Sequence, residues 1–199
     1  MRVAVPRGRV KGTAVRAGLS WFGQTYGTPG LERLTELASP ELQAILRPND
    51  PALGLIASGW YDTQLIGELL GLAEHVAQPL ESEELLTRIA DAVARDNVGG
   101  VYRSLFRLVA SPPLLEANAQ RVWRTYVDEG TLSVKVSGDA SFAAHVRGWS
   151  RHNVNVCRML RPLIQSLLRE VGYRALTVDR TQCVGDGNTQ CTFEGTWAA

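Results

Sequence analysis

The residues with the most capacity for chemistry are three cysteines, Cys157, Cys183 and Cys191, all near the end of a 199-residue chain. Two of them flank Gly185-Asp186-Gly187-Asn188, a turn sequence between two alternating runs. Centring that turn on Gly187 sets Cys183 opposite Cys191, Arg180 opposite Glu194, Thr181 opposite Phe193 and Thr177 opposite Trp197. Cys183, Cys191, Phe193 and Trp197 then share a buried face, and Arg180, Gln182, Thr192 and Glu194 a solvated one. Directly opposed Cβ atoms stand about 4.5–5.5 Å apart, against roughly 3.8 Å in an unstrained disulfide. The wider spacing suits two thiolates on one tetrahedral zinc ion at about 2.3 Å each. Three small thiols packed in a core without metal would satisfy the same pattern.

Two further elements must bring these sulfurs together. Asn153 to Val171 reads as a long helix whose apolar stripe is Cys157, Leu160, Ile164, Leu167, Leu168 and Val171. Gly172 ends it, and the closing hairpin follows. Ahead of it, Thr131 to Trp149 alternates in period two. A three-residue loop at Gly138-Asp139-Ala140 sets Val136 against Phe142, Val134 against Ala144 and Leu132 against Val146. A one-residue slip would invert the faces, so the apolar pattern selects this register and turns His145 and Arg147 to the polar side.

The chain before Asp128 reads as helical, punctuated by Gly and Pro. Thr13 to Tyr26 forms a first helix, and Gly27-Thr28-Pro29 stops it and opens another toward Ala38. Ser39-Pro40-Glu41 opens a short helix ending near Arg47. Helices are expected over Tyr61–Val76, Glu81–Val98 and Val101–Ala110, and from Ser111 to about Tyr126. The first eleven residues read as a short basic arm or edge strand. The fold class is therefore α+β: a single domain of residues 1–199, with a helical half (1–128) on an antiparallel sheet made by hairpin–helix–hairpin (129–199).

Composition excludes more than it names. With 45% apolar and 21% charged residues the chain can build a core without disulfides. A net charge of +1 argues against a broad footprint for nucleic acid or anionic membrane. No apolar run approaches a membrane span or a signal peptide, so a cytoplasmic location is expected. No Ser–His–Asp, Cys–His or paired-carboxylate arrangement is suggested by spacing, so the chain reads as a non-enzyme. Gly185-Asp186-Gly187 lacks the strand-then-helix setting of a phosphate loop.

The segment Gln182-Cys183-Val184-Gly185-Asp186-Gly187-Asn188-Thr189-Gln190-Cys191-Thr192-Phe193 resembles the terminal signature of four-vinyl-reductase-type domains. These occur in the sensor halves of bacterial aromatic-responsive activators. TRAPP-type tethering subunits and haem nitric-oxide-binding domains are structural relatives. The resemblance covers about Trp149 to Trp197, and Cys157 stands at the family's interval from Cys183. It implies a structural zinc on Cys157, Cys183, Cys191 and one acidic residue. The chain departs from the pattern there. The sensors place the acidic ligand just before a tryptophan, and with Trp149 as that residue Arg147 holds the position. His145 faces solvent and Asp186 sits in the turn, so no fourth ligand is assigned. Only Ser150 to Val156 fills the gap where the sensors carry a further helical segment. Over the whole chain, Val10-Lys11-Gly12-Thr13, Ser58-Gly59-Trp60-Tyr61, Gly100-Val101-Tyr102-Arg103 and Arg121-Val122-Trp123-Arg124-Thr125-Tyr126 resemble a family of myxobacterial paralogues of similar length. That likeness implies no particular chemistry.

In the resembled sensors the equivalent region encloses a small apolar ligand. Trp123, Tyr126, Trp149 and His152 are the expected lining here, since pockets are mostly apolar with few polar groups. The expected function is a regulatory domain that binds such a ligand and signals through a homodimer or a protein partner. The alternative is a TRAPP-like adaptor whose interior is filled and whose surface does the work.

Overall fold

A computed structural model describes residues 8–78, 82–100, 102–138 and 140–198. Arg2 and Arg7 of the expected basic arm lie outside the described residues. The described chain starts with strand β1 (Arg9–Lys11), paired antiparallel with β2 (Trp60–Asp62). Strand β2 takes the start of a segment expected to be helical. Asp62 sets the change: its Oδ1 accepts the Gln64 N–H at 2.8 Å, capping a helix that begins at Thr63.

The helical half comprises α1 (Gly12–Leu37), α2 (Pro40–Gln43), α3 (Thr63–Val76), α4 (Ser82–Gly99), α5 (Arg103–Phe106) and α6 (Pro112–Tyr126). Helix α1 is broken where the sequence expects it: Gly27 has φ 68° and ψ −173°, a conformation open mainly to glycine. Helix α2 stops at Gln43, short of Arg47. The expected helix over Val101–Ala110 reduces to α5 and a 3₁₀ turn at Arg107–Val109. Glycines before it and prolines after it leave a run too short to offset the nucleation cost of a longer helix.

The second half is β3 (Thr131–Ser137), β4 (Ser141–Arg147), α7 (Val154–Glu170), β5 (Thr177–Gln182) and β6 (Cys191–Thr196). Its four strands form one antiparallel sheet in the order β3-β4-β6-β5. The first hairpin has the register its alternation requires, with Leu132 opposite Val146, Val134 opposite Ala144 and Val136 opposite Phe142. Helix α6 packs beside edge strand β3, where Gln120 accepts the Leu132 N–H at 2.6 Å and Glu116 the Val136 N–H at 2.9 Å.

The closing hairpin departs from expectation. Thr177 pairs with Thr196, Asp179 with Glu194 and Arg180 with Phe193; then a bulge at Thr181 shifts the register, and Gln182 pairs with Thr192. Arg180 is therefore not opposite Glu194 on the solvated face. It shares the inner face with the buried Val178. Cys183 falls just past the strand, at the start of a 3₁₀ turn over Val184–Asp186.

One core lies within the helical half, around Phe22, Leu34, Leu53, Leu85 and Leu86. The other joins sheet, α7 and α6 around Phe193, Trp123, Trp149 and the three cysteines. Helix α7 packs on both α4 and β5 and so forms the partition between halves. This is an α+β fold with the helical half packed on an antiparallel sheet. Among the described residues no helix is long and apolar enough to cross a membrane.

Candidate functional site: a sulfur–histidine cluster beside an apolar cavity

Helix α7 begins with an Asn153 cap whose Oδ1 accepts the N–H groups of Asn155 and Val156 at 2.9 and 3.3 Å. That cap fixes the phase of the first turn and points Cys157 at the closing hairpin. The Cys157 sulfur lies 3.4 Å from that of Cys191 and 3.6 Å from that of Cys183. The fourth member comes from the loop ahead of the helix. His152 Nε2 lies 3.4 Å from Cys183 Sγ, and the four ligand atoms all lie within 4.8 Å of one another. All three cysteines are fully buried.

These distances match one tetrahedral ion: Zn–S bonds of about 2.3 Å and a Zn–N bond of about 2.1 Å imply S···S near 3.8 Å and S···N near 3.6 Å. The backbone makes room for the imidazole. A Cβ on Gly185 would stand 3.3 Å from His152 Cε1 and 3.5 Å from Cys183 Sγ. Within the trio, Cys183 donates to Cys157 and Cys157 donates to Cys191. Cys191 also accepts the Val184 N–H at 3.4 Å. The Cys157 bond holds the Cys191 thiol well below its ordinary range, with the Val184 bond acting in the same direction against burial. The same bond, with burial, pushes Cys157 up. The donor set is soft and favours a thiophilic ion such as zinc.

Beside the cluster, between the two halves, is a cavity of about 210 Å³. Its wall is drawn from β1, α1, α3, α4, α6, α7 and the inner face of the sheet. Trp123, Tyr126 and Trp149 line it, and His152 does not. The His152 ring instead meets Trp149 edge-on, centroids 5.3 Å apart at 77°, so Trp149 lies against both cavity and cluster. Trp149 also meets Trp123 edge-on at 5.6 Å, and its buried Nε1 has no hydrogen-bond partner. Tyr126 donates to Asn97 Oδ1 at 2.9 Å, and Asn97 donates to Val93 O at 2.7 Å. Burial, then the charges of Tyr102 and Asp96, keeps the Tyr126 phenol protonated well above its ordinary range.

Sequence reasoning missed the role geometry gives His152 and the side of the sheet on which Arg180 lies. It also missed the cavity's other wall, built from Val15, Leu19, Phe22, Ile89 and Val93. Those residues read simply as helix core, and their period carries no sign that a space would be left beside them.

In class, this arrangement is the H-NOX fold. An Fe(II) unliganded H-NOX protein from K. algicida superposes with a TM-score of 0.67 at 14% identity, over 95% of this chain and 97% of that one. An Fe(II)NO-state H-NOX protein from S. oneidensis gives 0.66 at 10% identity, over 95% and 99%. An oxygen-binding H-NOX domain related to soluble guanylate cyclases gives 0.61 at 9% identity, over 95% of each chain. At such identities the likeness is one of fold. The chain matches no family model. It is 25% identical over 160 residues to apulose kinase of Pectobacterium atrosepticum, which covers 75% of this chain and 32% of that protein. The chain thus spans about a third of that relative's length.

A haem, the group this fold carries in structures of its neighbours, does not fit the cavity. Haem iron needs an axial donor such as His, Cys, Met or Tyr, and its carboxylates need polar or cationic partners. Among the described residues the lining holds no His, Cys, Lys or Arg. His75 is exposed on α3, and His145 lies on the outer sheet face against Thr192. Of the two lining residues able to ligate, Tyr126 is held as a neutral phenol bonded to Asn97, and Met159 alone is a weak ligand.

Proposed function

We propose that the chain is a non-enzymatic sensor domain, folded as one unit over residues 1–199. A small, uncharged, largely apolar ligand enters the space between the halves, and the resulting change of packing passes to a homodimer or a partner protein. The observation that carries this reading is the cavity itself. About 210 Å³ lies inside a core lined almost wholly by aliphatic and aromatic side chains, whereas packed interiors leave few voids larger than a water molecule. Such a wall solvates no charge and favours an apolar guest. Trp123, Tyr126 and Trp149 are its aromatic contacts, and the unpartnered Trp149 N–H suits a guest with one acceptor oxygen. Ligand-binding neighbours of the same fold support the sensor class. The cavity lends the likeness to apulose kinase no support, since among the described residues its wall offers no charged group to hold nucleotide phosphates.

Cys157, Cys183, Cys191 and His152 are the ligands of a structural zinc in this reading. Bound there, zinc supplies a cross-link and no reaction step. It ties the start of α7 and the loop before it to the closing hairpin, and Trp149 connects that clamp to the cavity.

The test is native mass spectrometry of purified protein, followed by thermal shifts with uncharged aromatic compounds. The expected result is a bound small molecule, or a saturable rise in Tm, that is lost when Ala14→Leu fills the cavity. A fully folded protein that takes no such compound, yet captures a protein partner with the cavity filled, would favour the adaptor role instead.

A further inference from the structure

The closing hairpin places a cation where a hydrophobic sheet face would exclude one. The bulge at Thr181 turns Arg180 inward, on the side of β5 that packs against α7. Bulges re-aim side chains in this way. One guanidinium nitrogen, Nη1, is sealed from solvent and has no hydrogen-bond partner. The other, Nη2, is 3.8 Å from Asp186 Oδ2, an ion pair half open to water. Burial lowers the pKa of this group. Cys157 and Cys183, then Asp186, more than reverse that effect and raise it, and the hairpin itself sets Arg180 opposite Phe193, three residues before Cys183 and two strand positions from Cys191.

A buried donor without a partner is costly, more so when it carries charge. Sulfur is a weak acceptor, and no sulfur bonds this nitrogen in the metal-free arrangement, so that cost stays in place. Zinc(II) with three thiolates and one neutral imidazole carries a net charge of about −1, and the displaced thiol protons leave to solvent. That anionic unit is buried and itself needs a counter-charge. Each of the two groups lacks what the other supplies.

We infer that Arg180 is the counter-ion of the Cys157–Cys183–Cys191–His152 centre, donating from Nη1 to a metal-held thiolate. The inference rests on the zinc reading above. It makes Arg180 a positioning residue that favours the loaded state and burdens the metal-free one.

The experiment compares wild type with Arg180→Met and Arg180→Lys. Zinc affinity is measured by competition with a chelator of known strength, and Tm with and without zinc. Arg180→Met should weaken zinc binding about 10–100-fold, the usual cost of losing an outer-shell partner, while the metal-free Tm holds or rises. Arg180→Lys keeps the charge without the fork and should fall between the two. Should Arg180→Met fail to fold, the affinity of Arg180→Lys against wild type decides, with unchanged affinity counting against the inference. Wild type that binds zinc no more tightly than Arg180→Met overturns the counter-ion role but leaves the centre standing. An equal loss of Tm with and without zinc overturns it too. Wild type that takes up no zinc overturns the centre, and the counter-ion with it.

Discussion

His152 Nε2 and Cys183 Sγ stand 3.4 Å apart across 31 positions of chain. The contact closes a four-atom cluster that three cysteines alone would leave open. If the cluster holds zinc, elemental analysis of protein purified without chelators finds about one equivalent per chain. His152→Ala leaves three sulfurs and a position for water. It should still bind cobalt(II), with a spectrum changed in its ligand-field bands and with lower affinity.

Gly185 gives a finer probe of the same geometry. Its Cβ would crowd His152 Cε1 at 3.3 Å and stand in ordinary contact with Cys183 Sγ at 3.5 Å, and Gly185 does not line the cavity. Gly185→Ala should weaken metal affinity by a few fold with little change in the metal-free Tm, and Gly185→Val by more. Equal affinity in all three proteins would mean that the imidazole is not held there.

Asn153 caps α7 and donates to Gln64 Oε1 at 3.1 Å, tying that helix to α3. Asn153→Ala should cost about 1 kcal/mol. In a domain of this size that is roughly 2–4 °C of Tm. Denaturant melts of the two metal-free proteins measure it without interference from zinc.

Buried Tyr173 and half-buried Tyr126 predict an alkaline limit to stability. Burial pushes Tyr173 up to about 12, and Tyr126 higher still. Unfolded tyrosine ionises near pH 10. The stability these phenols lend is therefore complete below about pH 10 and is lost as pH climbs through about 12. Tyr173→Phe removes its share, on the order of 2 kcal/mol at the upper end. Urea melts at several pH values should show a shallower decline in the variant.

Haem offers a test by exclusion. Hemin added to folded protein should show only weak, non-saturable association, with no spectral sign of an axial ligand. A tight one-to-one complex with a six-coordinate spectrum would contradict the reading of the cavity.

How much of this was legible in the sequence differs between the two hairpins. In β3–β4, apolar residues alternate on both sides of a glycine turn, and the wrong register would expose all of them, so pairing is determined. In β5–β6 the residues after Arg180 are Thr, Gln and Cys, none of which marks a bulge. One inserted residue reversed the side on which Arg180 lies. The meeting of the three sulfurs was legible because two flank a turn and the third sits on the stripe of the covering helix. His152 was not, since its position depends on a loop whose course is set by the Asn153 cap and the space over Gly185. The cavity showed only as a group of aromatics, because a void is a property of packing between segments far apart in the chain.

The side chains of α6 that cap β3 restrict how the domain can assemble. Gln120 and Glu116 already occupy two of the outward amide hydrogens that a neighbouring strand would need. Growth of the sheet onto a second molecule from that border would have to break both bonds. The opposite border of this sheet, β5, lies next to the Arg180 and cysteine region.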